Sequence, residues 1–192
     1  TTVLLSFCAA TQAAENPLNI VATTPDLAAV ARDIGGAQVR IFTLANATDD
    51  PHFATPKPSF IKELNRADLL LQTGFDLEIG WLPPLVDQAR NPKILIGGSG
   101  FFDGASLITP LGSAKGIVDR TLGDVHPQGN PHYLLDPING FLVARGITDK
   151  LVTLRPRAKK EFETNYENFK HEIAIRLVGE ALAKQYEVEK LA

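Results

Sequence analysis

Leu18-Asn19-Ile20-Val21-Ala22-Thr23-Thr24-Pro25, then Leu27-Ala28-Ala29-Val30-Ala31-Arg32-Asp33-Ile34-Gly35-Gly36, then Val39-Arg40-Ile41-Phe42-Thr43-Leu44 decide the fold of this chain. The first run is apolar and β-branched at its centre, and Pro25 stops it, which reads as a buried strand. The second run is helical, with Thr24 or Asp26 able to cap it and Gly35-Gly36 to end it. The third is again a strand. Strand, helix and strand within about 30 residues make a βαβ unit, which requires a parallel pair.

The same alternation continues outward. Ser59 is placed to cap a short helix through Phe60 and Leu64, and Asp68-Leu69-Leu70-Leu71-Gln72-Thr73 reads as strand three. A helical pattern from Leu77 to Arg90 is interrupted by Pro83-Pro84, and Lys93-Ile94-Leu95-Ile96 reads as strand four, closing at Gly97-Gly98. This argues an α/β fold, a four-stranded parallel sheet flanked by helices. In such sheets ligands gather outside the carboxyl ends of the strands. The polar loop Asn46 to Pro58 leaves strand two at that end and carries His52 in Asp49-Asp50-Pro51-His52. Gly98-Ser99-Gly100 lacks the third glycine of a dinucleotide fingerprint and the last residue of a nucleophile elbow, so it reads as an ordinary turn.

A second histidine-bearing segment, Gly123-Asp124-Val125-His126-Pro127-Gln128-Gly129-Asn130-Pro131-His132-Tyr133-Leu134-Leu135-Asp136-Pro137, concentrates two of the four histidines with three prolines. No helical or strand period survives that composition, so it is a loop of fixed shape, suited to a metal site. Asp136-Pro137 then starts a helix through Leu151. From Pro156, Ala158, Phe162, Tyr166, Phe169, Ile173 and Leu177 fall on one helical face. Continued to Tyr186, that helix would span ~45 Å. His171, between Lys170 and Glu172, reads as a surface residue on it.

Composition narrows the function. A hydrophobic share of 44% and a charged share of 21% suit a packed domain, while a net charge of -3 offers no basic face to nucleic acid. Residues 1–13 read as the remnant of a signal peptide, apolar from Val3 to Ala10 with small residues at Thr11 and Ala13. The only cysteine, Cys8, lies inside it, in Leu5-Ser6-Phe7-Cys8, a poor lipoprotein box because of Phe7. The mature chain would carry no thiol, which excludes thiolate zinc ligation. No other apolar run approaches the ~20 residues of a membrane span.

Taken in order, Asn19-Ile20-Val21-Ala22-Thr23-Thr24-Pro25, Asp50-Pro51-His52 with Pro58-Ser59, Ala67-Asp68-Leu69, Gly74, Leu77-Glu78, Trp81-Leu82-Pro83, Asn130-Pro131-His132-Tyr133 and Leu135-Asp136-Pro137 resemble the zinc- and manganese-binding solute-binding proteins of bacterial ABC importers (ZnuA-like and TroA-like). The resemblance covers Asn19 to the end of the long helix. It implies a periplasmic receptor that binds Zn²⁺, or Mn²⁺, and hands it to a membrane permease without catalysis. It also implies that His52 and His132 are metal ligands from an N-terminal lobe, residues 14–154. Residues 155–192 would form a long helix linking it to a C-terminal lobe that the sequence lacks.

His126, six residues from His132 across a Pro-Gly turn, ranks behind those two: a third ligand, a capture residue or a solvent-facing side chain. Glu78 is a candidate for supporting a histidine ring. Neutral imidazole suits Zn²⁺, and Mn²⁺ when carboxylates accompany it. Two other readings use the same residues. One is a hydrolase whose zinc is held by the histidines with Asp124 or Asp136, against which stands the lack of a His-Glu-x-x-His helix. The other is a metal-binding surface adhesin.

Overall fold

The computed structural model describes residues 15–112 and 126–185, so the signal-peptide reading of 1–13, Asp124 and Tyr186 lie outside the described residues. Four parallel strands form one sheet in the order β2-β1-β3-β4: β1 Leu18–Ala22, β2 Val39–Thr43, β3 Leu69–Gln72 and β4 Phe101–Asp103. Ile20 is in register with Ile41 on one side and Leu69 on the other. Alternate residues of each strand serve opposite faces, as a period of two demands. Ile20, Ala22, Leu69 and Leu71 enter one apolar cluster, whereas Val21 and Leu70 enter the other.

Helices cover both faces. On the first lie α1 Pro25–Gly35, α4 Pro137–Leu154 and α5 Lys159–Val178, which pack on one another. On the second lie α2 Pro58–Arg66 and α3 Leu82–Ala89. Asp136 caps α4, its Oδ1 accepting from the Ile138 N–H at 2.9 Å. Two caps differ from expectation. Thr24 precedes α1 but makes no side-chain bond to it. At α2 the cap position is Lys57 and Pro58 opens the helix, so Ser59 lies inside the first turn. Pro83-Pro84 likewise sit in the first turn of α3, where a missing N–H costs nothing; they start the helix and do not interrupt it.

Strand four is the main correction. Lys93-Ile94-Leu95-Ile96 is not a strand: Pro92–Ile94 is a single 3-10 turn capped by Asn91, and Ile96 is 88% exposed. The chain then turns through Gly98 and Gly100 before β4 joins β3, with Leu70 donating to the Gly100 carbonyl at 2.8 Å. A Cβ at Gly100 would collide with the Asp68 carbonyl, so only glycine lets the chain come this close to β3. The long helix holds its whole apolar face but is not continuous toward Tyr186. α5 spans 20 residues, about 30 Å, and ends at Gly179 with φ 82°, before a short α6, Glu180–Gln185. No described helix is long and apolar enough to cross a membrane.

Candidate metal centre

The chain leaves β1 for β2 on one side and comes back to β3 on the other. The crevice beyond the carboxyl ends of β1 and β3 is therefore the switch point at which α/β sheets bind ligands. All three loop histidines meet near it.

His52 sits on a 3-10 turn, Pro51–Phe53, capped by Asp50. The Asp50 Oδ1 accepts from the His52 backbone N–H at 3.0 Å and lies 2.7 Å from its ring Nδ1. These two bonds hold the Asp50 carboxyl below the usual carboxylate range. Trp81 fixes the turn from α3's side, its Nε1–H donating to the Pro51 carbonyl at 2.9 Å. The ring Nδ1 of His126 is 2.9 Å from the carbonyl of Phe75, just past β3. In His132 the backbone N and ring Nδ1 are each 2.9 Å from Asn130 Oδ1. The neighbouring Tyr133 hydroxyl donates to the Thr73 carbonyl at 2.8 Å, and burial pushes that phenol up.

These partners decide the tautomers. A carbonyl or carboxylate oxygen only accepts, so Nδ1 is the protonated nitrogen of the His52 and His126 rings. The Asn130 oxygen already accepts a backbone N–H, which fixes its orientation and gives His132 the same tautomer. In each neutral ring Nε2 then carries the lone pair, as in histidines oriented for a metal from behind. The His52 and His126 Nε2 atoms are 3.0 Å apart. Ring centroids lie 5.1 Å apart for His52 and His126 and 5.7 Å for His52 and His132.

Two nitrogens bound to one tetrahedral zinc at about 2.0–2.1 Å stand ~3.3 Å apart, close to the His52–His126 separation. Two lone pairs facing each other this closely repel unless a proton or a cation lies between them. The cluster is gathered but not closed. Among the described residues no three or more histidine, cysteine, aspartate or glutamate side chains already converge in metal-holding geometry.

The other candidates lie elsewhere. Asp136 is engaged as the α4 cap, and His171 is exposed on α5. The bonds of Glu78 go to the turn after β3 and to Thr23. Its buried Oε1 accepts from the Thr23 hydroxyl at 2.6 Å and the Thr73 N–H at 2.7 Å, and its Oε2 from the Gly74 N–H at 3.1 Å. Burial pushes its carboxyl above the ordinary value, outweighing those three donors. Sequence spacing ranks His126 last because what orients it, the Phe75 carbonyl, lies 51 residues away.

Residues 20–177 match the family described as "Zinc-uptake complex component A periplasmic". The chain belongs to the zinc-uptake complex component A family. Relatives of this family member include the metal ABC transporter substrate-binding lipoprotein ScbA of Streptococcus cristatus, 28% identical over 162 residues, covering 81% of this chain and 47% of that protein. The manganese ABC transporter substrate-binding lipoprotein PsaA of Streptococcus pneumoniae serotype 4 is 28% identical over 159 residues, 79% of this chain and 47% of its own length. Both are named as substrate-binding proteins, not as enzymes.

Solved structures share the family fold. A zinc-bound ZnuA with residues 138–173 deleted superposes with a TM-score of 0.67 at 23% identity, over 84% of this chain and 58% of that one. A manganese-bound periplasmic metal binding protein from Candidatus Liberibacter asiaticus gives 0.66 at 20%, over 83% and 55%. The family member described here spans about half the length of the curated relatives it matches.

Proposed function

We propose that this chain is the N-terminal, metal-holding part of a receptor that captures Zn²⁺ outside the cytoplasm and delivers it to the permease of an ABC importer. The observation that carries the reading is the approach of the His52 and His126 Nε2 atoms to 3.0 Å beside His132, at the switch point of the sheet. His52, His126 and His132 are the ligands this chain supplies, each through Nε2. Residues 14–154 form the lobe that holds them, and 155–192 lead toward the part of the receptor that the relatives have in addition. A cleaved signal segment at 1–13 would send the chain to the periplasm; the word periplasmic in the family description supports this reading.

Zinc is the ion proposed from the donors this chain supplies. The family is described by zinc and PsaA by manganese. The imidazole nitrogens this chain supplies suit zinc better than the harder manganese ion, and Zn²⁺ stands well above Mn²⁺ in intrinsic affinity. The test is equilibrium dialysis of the metal-stripped chain against Zn²⁺ and Mn²⁺ together, with ester and phosphate hydrolysis assayed on the loaded protein. The expected result is one Zn²⁺ per chain, little Mn²⁺ and no turnover. Zinc-dependent turnover would replace the receptor by a hydrolase, and no retained metal would remove the reading altogether.

A further inference from the structure

We infer that Glu78 is a positioning residue for the histidine cluster, fastening the one turn to which all three histidine segments are tied. The inference builds on the metal-receptor reading only for its metal readout, since the positioning it describes exists in the metal-free chain.

Three segments distant in sequence converge on residues 73–81. The Thr73 carbonyl receives the Tyr133 hydroxyl, next to His132. The Phe75 carbonyl receives the His126 ring. Trp81 donates to the Pro51 carbonyl, next to His52. A displacement of this turn therefore moves the supports of all three rings together.

The turn does not hold its shape by backbone preference. Gly74, Phe75 and Asp76 have φ values of 88°, 49° and 63°, so two side-chain-bearing residues follow a glycine in the left-handed region. That conformation is disfavoured for L residues and persists only where the surroundings over-determine it. A Cβ at Gly74 would collide with the Asp103 carboxyl and Ala105, so the turn is also fitted closely against the end of β4. Glu78 supplies the closing bonds. It accepts from the N–H groups of Thr73 and Gly74, at the entrance of the left-handed run, and from the Thr23 hydroxyl at the end of β1. Both banks of the switch-point crevice are thus joined through one carboxylate. Burying a carboxylate on a hydroxyl and two amides is costly, and a turn with no geometric task could be closed by a neutral side chain.

The test compares Glu78→Ala and Glu78→Gln with Asn91→Ala in the full chain. Asn91 is a matched control: it is buried and bonds the Leu64 and Ala67 carbonyls at 2.9 and 2.8 Å, at the opposite end of β3. In the metal-free proteins, imidazole nitrogen and proton resonances of His52, His126 and His132 are expected to move together in Glu78→Ala and to stay at wild-type positions in Asn91→Ala. Zn²⁺ affinity, measured well below the unfolding temperature, is expected to fall about 10- to 100-fold in Glu78→Ala, the range for residues that orient ligands from behind. Glu78→Gln keeps an acceptor for Thr23 and Thr73 and loses the one facing Gly74, so it is expected to recover most of the affinity and to shift His126 most.

Unmoved histidine resonances in a folded Glu78→Ala would overturn the inference, as would equal shifts in Asn91→Ala. If Glu78→Ala does not fold, Glu78→Gln decides alone, and wild-type His126 resonances in it would overturn the inference. A wild-type chain that binds no Zn²⁺ defeats the receptor reading, while the resonances still decide the role of Glu78.

Discussion

His52→Ala is expected to weaken Zn²⁺ binding by about 100-fold or more, and His132→Ala and His126→Ala to do the same. Structural zinc held by four ligands is bound with about 10–16 kcal/mol, so each ligand contributes roughly 2.5–4 kcal/mol, or two orders of magnitude and upward at 1.4 kcal/mol per tenfold. Isothermal titration of the metal-stripped variants reads this directly. His126 is the informative one. Removing a ring that merely lay beside the site would cost a few-fold at most, whereas the proposed ligand role, resting on an Nε2 3.0 Å from that of His52, gives it equal weight. Because each ligand must be unprotonated to bind, the same titrations are expected to weaken in acid. His171→Ala, on the exposed face of α5, is expected to bind as the wild type does.

The second large effect concerns the long helix. Phe162→Ala is expected to destabilise the fold by about 3–5 kcal/mol, the usual cost of emptying a fully buried aromatic site. At 2–4 °C per kcal/mol for a chain of this size, that lowers the unfolding temperature by roughly 6–20 °C. Phe162 is 0% exposed and lies in the same apolar cluster as Ile34 and Leu151, where α5 packs on α1 and α4. Tyr166 and the partly buried Phe169 continue the contact. Up to Phe169, then, α5 is part of the packing that covers one face of the sheet, and not a strut standing clear of it. A loss below about 0.5 kcal/mol in chemical denaturation, the range of surface substitutions, would show instead that the helix is an outlying connector.

Much of this was legible from residues alone. The runs at Leu18, Val39 and Leu69 are apolar, β-branched or leucine-rich, and sharply bounded, and each forms a strand of a parallel sheet. Asp136-Pro137 announces α4 because a capping carboxylate followed by a proline is satisfied only at a helix start. Strand four was misread for a physical reason. Lys93-Ile94-Leu95-Ile96 has strand composition, but Pro92 and the Asn91 cap set a 3-10 turn there, and the edge is completed by only three residues after Gly100. Apolarity marks burial of one residue, Ile94, and not its backbone state.

The helix end was lost in the same way. The apolar face ends at Leu177, inside α5; only its extension to Tyr186 fails, because a glycine at φ 82° breaks the helix. Within the candidate site, the loop settings of His52 and His132 are legible because their partners Asp50 and Asn130 are two residues away. The turn at Gly74-Phe75-Asp76 is not, since only Gly74 hints at a left-handed backbone and its tasks depend on partners as far away as Tyr133.

The most direct measurement is X-ray absorption at the zinc edge of the chain loaded with one equivalent of Zn²⁺. The account predicts a first shell of nitrogen and oxygen at about 2.0–2.1 Å with multiple-scattering features of three imidazoles, falling to two in His126→Ala. A spectrum with one imidazole or none, or one left unchanged by His126→Ala, would contradict it.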